Sequence, residues 1–317
     1  MSVLAGWLRT LHLETEVFFR GVFCNRWGLS TSGSGFASFH LVLDGECWLH
    51  CAALDAPRRL ATHDIALFPR DAPHVISSSP EHANLCGEPL PASDERAQPD
   101  GGTALACGRF RLARQRTNLV FEALPDCLVV SLGDDSPGSW LRPMLQHILS
   151  SVRSQTAEDD VIVERCIELF FVEVVRRHVR SAPQEPGIIA ALRDPYLHRA
   201  LAAVHREPAR AWNLNALANE AALARTAFCQ RFLRVMGRPP MRYVAQYRMQ
   251  LAMKWLNEPQ QSILAIALRS GYETEAAFCR AFKRETGLAP GAYRRSRAVS
   301  RLSSPKRSAA REVLAVS

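Results

Sequence analysis

The sequence lacks long hydrophobic segments. None of its apolar runs reaches the roughly 18 residues that a membrane-spanning helix needs. Glu14, Glu16 and Arg20 interrupt the hydrophobic residues near the amino terminus, which disfavours a secretory signal peptide. The sequence therefore predicts a cytoplasmic protein without a membrane partner.

Closely spaced cysteine pairs are also absent. The nine cysteines are an odd number, lie scattered along the chain and include no C-x-x-C pair. This pattern argues against a zinc ribbon and against a disulfide-rich scaffold. Reduced thiols are the expected state of positions 24, 47, 51, 86, 107, 127, 166, 229 and 279.

Acidic residues are scarce in one part of the chain. From Asp194 to the end, 21 Lys and Arg residues stand against 8 Asp and Glu residues, a net +13, whereas residues 1–193 hold 18 against 23, a net −5. The 317 residues have room for about two domains. With 47% hydrophobic and 22% charged residues, wholesale disorder and fibrous folds are excluded. The asymmetry predicts a polyanion-binding domain joined to a domain with another task.

The first half contains short apolar runs separated by Gly, Pro, Asp and Ser, which predict the strands of a sandwich or barrel. These runs lie at 17–19, 39–43, 65–68, 110–112 and 127–132. The Pro-, Gly- and charge-rich stretch 78–103 is expected to be a flexible loop between two strands. Apolar residues at helical spacing predict helices at 140–152 and 159–180.

An internal repeat is the strongest signal in the basic half. The segment FCQRFLRVMGRPPMRY, which begins at Phe228, matches FCRAFKRETGLAPGAY, which begins at Phe278. Each copy predicts a short helix, a tight turn and a second helix ended by Gly, the layout of a helix-turn-helix, at about 214–235 and about 262–285. A pair of purely structural helical hairpins is the alternative, but the net +13 favours DNA binding.

These motifs resemble the AraC family of bacterial transcription regulators over roughly 194–296. In that family a long helix joins the two helix-turn-helices; here it corresponds to about 240–256, with Arg248, Ala252 and Leu256 at family positions. Ala224 stands where the family commonly has a Ser that caps the first recognition helix. The resemblance implies a regulator that binds double-stranded DNA and acts with RNA polymerase.

The resemblance also assigns DNA-facing positions residue by residue. The base-reading side chains would be Arg225, Thr226, Cys229, Gln230, Glu275, Ala276, Cys279 and Arg280. Arg donates two hydrogen bonds to a guanine edge, Gln pairs with adenine, and Thr touches a thymine methyl group. Phosphate contacts, which add affinity and salt sensitivity without sequence choice, would come from Arg234, Arg242, Lys283, Arg284, Arg294 and Arg295. A solvated surface charge is the alternative for each Arg.

The first half resembles the cupin-type sensor domains that are fused to this DNA-binding unit. FHLVLDGECWLH at 39–50 and HDIALFPRDAPHVI at 63–76 are similar to two segments of that small β-barrel. Catalytic cupins hold a metal with three His and a Glu, of which His74 alone matches cleanly here. We therefore expect no cofactor, with His40, Cys47 and His74 as weak metal candidates and His50, Cys51 and His63 as further donors.

Two thiols are similar to cysteines of oxidant-responsive members of that cupin-fused group. Cys24 ends the first β-rich run, and Cys107 opens the segment ACGRFRL. A thiol senses oxidants when its pKa is lowered and solvent reaches it. Arg26 and Arg109, each two residues away, would lower the pKa of these thiols if their side chains turned back. Inert core cysteines are the alternative interpretation.

Together these patterns predict an α+β protein. The expected order is a cupin-like sensor barrel at 1–135, two dimerisation helices at 136–180, a linker at 181–190, a DNA-binding domain at 191–296 and a disordered basic tail at 297–317. Helical period equally allows the two helices to cover their own sheet.

We expect a homodimeric transcription activator, not an enzyme, whose DNA binding responds to a small ligand or an oxidant. A metal-dependent cupin enzyme with a nucleic-acid-binding appendage is the competing interpretation.

Overall fold

The structure is a computed structural model that describes residues 3–11, 13–81, 102–111, 119–133, 139–154, 156–181, 187–258 and 261–302. Its contacts divide the chain into two units. The sheet unit contains Leu13–Ala113 and Leu124–Arg180, and the helical unit contains Met1–His12, Arg114–Ala123 and Ser181–Ser304. Within the described ranges, no helix is both long enough and apolar enough to cross a membrane.

The described strands of the sheet unit are β1 (Glu14–Phe23), β2 (Gly28–Leu29), β3 (Ala37–Asp44), β4 (Glu46–Cys51), β5 (Arg58–Ala61), β6 (Asp64–Phe68), β7 (His74–Ser77), β8 (Thr103–Arg111) and β9 (Leu128–Ser131). They form two antiparallel sheets, ordered β1-β8-β3-β6-β9 and β2-β7-β4-β5. In the first sheet β8 lies between β1 and β3, so Cys107 has Phe19 on one side and His40 on the other.

One hydrophobic core is built from both sheets. Leu49 of β4, Phe68 of β6 and Leu105 of β8 belong to it, beside Phe23 and Trp27, whose rings stack at 4.5 Å. The sequence predicted a small barrel, but the described strands form two sheets that do not close into one. Alternation of apolar residues specifies which face of a strand is buried, but not whether sheet edges join.

Two helices complete the sheet unit, α3 (Leu141–Ser154) and α4 (Ala157–Ser181), close to the two that the sequence predicts. They pack on their own sheet: Phe171 contacts Phe110 with ring centroids 5.0 Å apart, and Arg20 of β1 binds Ser151 at 2.7 Å. The helices also leave several large apolar side chains exposed. These are Leu149, Val161, Ile162 and Leu169.

The carboxy-terminal helices are α5 (Ile188–Arg193), α6 (Pro195–Arg206), α7 (Leu214–Glu220), α8 (Arg225–Met236), α9 (Pro240–Leu256), α10 (Ile263–Arg269), α11 (Glu275–Thr286) and α12 (Pro290–Leu302). The repeat has the predicted form: α7 and α8 make one helix-turn-helix, α10 and α11 make the second, and α9 joins them. Gly237 and Gly287 end α8 and α11 with left-handed φ values of 66° and 74°. Glycine adopts this conformation without the Cβ strain of other residues.

Two short helices from the first part of the chain belong to the helical unit. They are α1 (Val3–Thr10) and α2 (Leu119–Glu122). Trp7 of α1 is 1% exposed and donates to the Tyr243 hydroxyl on α9 at 2.7 Å. Glu122 of α2 pairs with Arg238. The sequence prediction placed both segments in the sensor domain, since an apolar helix face reveals that it is buried but not against which element.

Other predicted segments fall partly outside the described residues. These parts are 82–101 of the predicted loop, 182–186 of the linker and 303–317 of the tail. The described ends differ from the prediction at each of these segments. Strand β8 begins at Thr103, inside the predicted loop, and α4 and α5 extend into the predicted linker to Ser181 and from Ile188. Helix α12 continues to Leu302, beyond the predicted start of the tail at 297.

Candidate nucleic-acid interface and thiol-imidazole cluster

Helix α8 has one buried and one polar side. Phe228 and Phe232, one turn apart, are almost fully buried. The residues predicted to read bases lie on the other side, where Arg225, Thr226 and Gln230 are exposed and Cys229 is half-buried. Their spacing of i, i+1, i+4 and i+5 places them on one helix face, as docking in a major groove requires.

Helix α11 repeats this arrangement with different side chains. Phe278 and Phe282 are buried, whereas Glu275, Ala276 and Arg280 are exposed and Cys279 is half-buried. Partial burial raises the pKa of the Cys279 thiol, and the neighbouring Glu275 carboxylate raises it further. This face therefore has one cation, Arg280, and one carboxylate, Glu275.

The two recognition helices begin differently. Thr274 caps α11, its hydroxyl accepting a hydrogen bond from the Ala277 amide at 3.2 Å. Ala224 precedes α8 and supplies no side-chain cap, as its residue type requires. A side-chain cap satisfies one of the unpaired amides of a first turn. The first turn of α8 therefore lacks a stabilising contact that α11 has.

The predicted phosphate-binding residues divide into two groups. Arg234, Arg242, Lys283, Arg284 and Arg295 are exposed. Arg242 and Arg284 lie 3.6 Å and 3.9 Å from the Glu285 carboxylate, and Arg242 thereby links α9 to α11. Arg294 is half-buried and donates to the Gln261 carbonyl at 2.7 Å, ahead of α10. Arg294 therefore supports the fold, a contact that the sequence pattern does not reveal.

Arg248 of α9 connects the two helix-turn-helices. Its guanidinium donates to the carbonyls of Pro208 at 2.8 Å, Arg210 at 2.7 Å and Gly271 at 3.3 Å. Gly271 lies in the turn between α10 and α11, and a Cβ there would come within 2.7 Å of the guanidinium. The family position of Arg248 is thus a structural one that sets the second motif against α9.

A buried polar cluster lies in the core of the sheet unit. The Nε2 atoms of His40 and His74 are 2.8 Å apart, and Thr31 Oγ1 lies 3.2 Å and 3.1 Å from them. On the other side of the His40 ring, Nδ1 is 3.1 Å from Cys107 Sγ. The Phe68 ring stacks on His74 at 3.6 Å. Thr31 has no sequence signal, because it lies in an irregular segment.

The carbonyl of Ala72 fixes the protons of this cluster. It accepts from His74 Nδ1 at 2.8 Å, so His74 Nε2 is an acceptor when the ring is neutral. His40 then donates from Nε2 to His74 and accepts the Cys107 thiol hydrogen at Nδ1. Burial lowers the pKa of His74 to about 4 and that of His40 well below its ordinary value, with His74 adding to the latter effect. Both rings are therefore neutral at pH 7.

Of the weak metal candidates, His40 and His74 meet at their Nε2 atoms. Cys107 contacts the nitrogen of His40 that faces away from His74, so these three side chains cannot share one ion. Burial, with Asp64 and Glu46 nearby, raises the pKa of Cys47 to about 12. His50 binds the Ser77 hydroxyl at 2.8 Å. Across the described residues, no three His, Cys, Asp or Glu side chains are placed to hold a metal.

The two predicted redox thiols lie in different surroundings. Cys107 is 0% exposed, and burial raises its pKa well above the ordinary thiol value, the opposite of the expected direction. The Arg109 guanidinium, which was expected to lower the pKa of Cys107, instead donates to the Glu16 carboxylate at 3.1 Å. Cys24 is half-buried. It lies five residues beyond Phe19, the residue that pairs with Cys107, and five residues of extended chain span about 16 Å. A disulfide joins Cα atoms less than about 7 Å apart, so these two thiols cannot pair in this fold.

Two known families match different parts of the chain. A family described as "Cupin" matches residues 2–180, and one described as "Helix-turn-helix domain" matches residues 217–296.

Several curated proteins resemble the chain over most of its length. A putative AraC-like transcription regulator of Streptomyces lividans is 31% identical over 85% of this chain and 90% of its own. An uncharacterised HTH-type transcriptional regulator of Haemophilus influenzae is 30% identical, over 89% and 94%. The RCS-specific HTH-type transcriptional activator RclR of Escherichia coli is 28% identical, over 61% and 68%. Among solved structures, ToxT of Vibrio cholerae aligns over 89% of this chain and 96% of its own, with 14% identity and a TM-score of 0.35.

Proposed function

Because the chain belongs to the AraC family of transcription regulators, with a cupin domain followed by helix-turn-helix motifs, we propose that it is a sequence-specific transcription activator controlled by its sheet unit. A small ligand or an oxidant, sensed in that unit, modulates DNA binding. The observation that carries this proposal is the repeated recognition face, which α8 and α11 present at equivalent positions in the half with a net charge of +13.

DNA reading divides between the two recognition helices. Arg225 and Arg280 donate to guanine edges, Gln230 pairs with adenine and Thr226 touches a thymine methyl group. Cys229, Glu275, Ala276 and Cys279 complete the surface against the bases. The phosphate contacts come chiefly from the exposed residues Arg234, Arg242, Lys283, Arg284 and Arg295, since Arg294 is half-buried and bound to the Gln261 carbonyl.

Activation needs further contacts. We assign the exposed apolar side chains Leu149, Val161, Ile162 and Leu169 of α3 and α4 to a homodimer interface in the cytoplasm. Contact with RNA polymerase completes the function. The Escherichia coli relative that is named an RCS-specific transcriptional activator supports activation. The protein performs no catalysis and needs no cofactor.

Competition binding tests the proposal. Genome-wide mapping of bound sites supplies a candidate operator, and the full chain should prefer it over random DNA by about 10³-fold or more. The Arg225→Ala, Arg280→Ala double variant should lose most of this preference while keeping non-specific binding. Equal affinity of the natural chain for operator and random DNA would refute sequence-specific regulation.

A further inference from the structure

Two cysteines outside the clusters described above are brought together where the two sheets meet. Cys51 ends β4 and pairs directly with His74 of β7. Cys127 immediately precedes β9, where the register Leu67–Leu128 continues to place Cys127 opposite Phe68. Directly opposed residues in antiparallel strands point to the same face of a sheet. Cys51 therefore shares a face with His74, and Cys127 shares one with Phe68.

Those two faces are in contact. The Phe68 and His74 rings stack at 3.6 Å with an interplanar angle of 4°. The Cys51 thiol is also close enough to Cys127 to contribute to the raised pKa of that residue. Both cysteines are half-buried and pack against the edge of the sheet-unit core. The fold thus holds two thiols from different sheets side by side.

We propose that Cys51 and Cys127 are a redox-active dithiol that a two-electron oxidant such as hydrogen peroxide converts into an intramolecular disulfide. The bond would fasten the beginning of β9, an edge strand of the first sheet, to the end of β4 in the second sheet. The disulfide itself does not depend on the proposed DNA-binding function.

The surroundings assign different roles to the two sulfurs. Burial raises the pKa of Cys127 to about 12, the adjacent Cys51 contributes to the rise, and the nearby Arg58 cation opposes it. Cys127 therefore keeps its proton, which leaves Cys51 as the sulfur that attacks the oxidant. The Asp126 carboxylate, which also disfavours a Cys127 thiolate, is paired with Arg70 at 2.6 Å.

The reaction proceeds in two balanced steps. The Cys51 thiolate attacks one peroxide oxygen, the O–O bond breaks, and a sulfenic acid and hydroxide form. The Cys127 sulfur then attacks the sulfenic sulfur, the S–S bond forms and the S–O bond breaks. The departing hydroxide takes the Cys127 proton and leaves as water. In sum, two thiols and one hydrogen peroxide yield one disulfide and two water molecules.

The other described cysteines of the sheet unit meet these conditions less well. Cys47 and Cys107 are 1% and 0% exposed, so an oxidant in solution does not reach them. Cys166 lies on α4 and is buried. Cys24 is half-buried, but the register separates it from Cys107 as described above.

Peptide mapping of the full chain tests the proposal. The protein is treated with hydrogen peroxide, its remaining thiols are blocked with N-ethylmaleimide, and tryptic peptides are analysed without reduction. We expect a cross-linked peptide that contains Cys51 and Cys127, and a loss of two alkylatable thiols per chain. Because no Lys or Arg lies between Cys47 and Cys51, both occur in the same peptide.

Matched variants resolve that ambiguity. Cys47→Ala should keep the cross-link, whereas Cys51→Ala and Cys127→Ala should each abolish it. The natural chain supplies the decisive result even if a variant folds poorly. A cross-link that survives Cys51→Ala would overturn the proposal. So would a peroxide-treated natural chain in which Cys51 and Cys127 are both fully alkylated while Cys24 is oxidised.

Discussion

The two helix-turn-helix motifs have the same kind of buried interior but differ at the beginnings of their recognition helices, α8 and α11. Phe228 and Phe278 occupy equivalent buried positions, and Gly237 and Gly287 end the equivalent helices in the same left-handed conformation. The beginnings diverge: α8 starts with Arg225 behind an uncapped turn, whereas α11 starts with Glu275 behind a Thr274 cap.

At the first turn of a recognition helix, the residue type that stabilises the helix is the opposite of the one that attracts DNA phosphates. An acidic side chain in the first turn stabilises a helix through its macrodipole, whereas a basic one there destabilises it. DNA phosphates, in contrast, attract a basic side chain and repel an acidic one. The first motif therefore has the more basic and less stabilised tip, and the second has the more stable and less basic tip. A duplicated scaffold can thus give two unequal contributions to one DNA site.

Removing the shared interior should have the largest effect. Phe228→Ala and Phe278→Ala should each lower the free energy of unfolding by about 3–5 kcal/mol, because each leaves a cavity in a packed helix pair. Urea unfolding followed by circular dichroism measures this loss. Leu233→Ala, at a 53% exposed position of α8, is the control and should change stability by less than about 0.5 kcal/mol. A negligible loss at either Phe would show that the two interiors are not equivalent.

The base-reading assignment should show the next largest effect. Arg280→Ala should cost about 1–3 kcal/mol at the specific site and relax the choice of one or two base pairs. Arg225→Ala should do the same at the other half of the site. Binding titrations against single-base variants of the operator measure both losses, with Arg206→Ala on α6 as the control. A loss that is equal for all DNA sequences would place these side chains on phosphates.

Exchanging the caps should make the two motifs more alike. Ala224→Ser should stabilise α8, and Thr274→Ala should destabilise α11, each by about 0.5–2 kcal/mol, since one first-turn amide gains or loses its acceptor. Amide hydrogen exchange in the first turn of each helix reports the change locally. An Ala224→Ser variant without slower exchange in α8 would mean that the end of α8 is held by other contacts.

The smallest expected effects concern phosphates. Arg234→Ala and Arg284→Ala, at equivalent positions of α8 and α11, should each weaken binding to all sequences alike and reduce the slope of log affinity against log salt by about one. Arg294→Ala should leave the slope nearly unchanged, because its guanidinium is bound to Gln261. Salt titrations on operator and random DNA distinguish the cases. An unchanged slope for Arg234→Ala would remove it from the phosphate set.

The repeat made the helical half predictable from sequence. The pairs of Phe and Gly residues specify a buried face and a helix end, both of which depend on neighbours a few residues away. The recognition faces followed because residues opposite a buried face must be exposed. The role of Arg294 did not follow, since its partner Gln261 is 33 residues distant and offers only a backbone carbonyl.

The sheet unit was less predictable for the same reason. His40 and His74 were visible as candidates, but the contact of His40 with Cys107 depends on the register of β3 against β8, which no local pattern specifies. The tautomer of His74 depends on its hydrogen bond to the Ala72 carbonyl, a backbone group to which residue type contributes nothing. The proposed pairing of Cys51 with Cys127 likewise depends on the contact between the two sheets, where Phe68 stacks on His74.

The contact between Trp7 and Tyr243 has a consequence for folding during synthesis. The two residues are 236 positions apart, and α1 leaves the ribosome long before α9 exists. At about 5–20 residues per second, the apolar face of α1 waits some tens of seconds for its partner. Until then the Trp7 indole has no Tyr243 hydroxyl to bind, and long-range closure of this kind slows folding. Placement of α1 against α9 therefore waits until the residues between Trp7 and Tyr243 have been made.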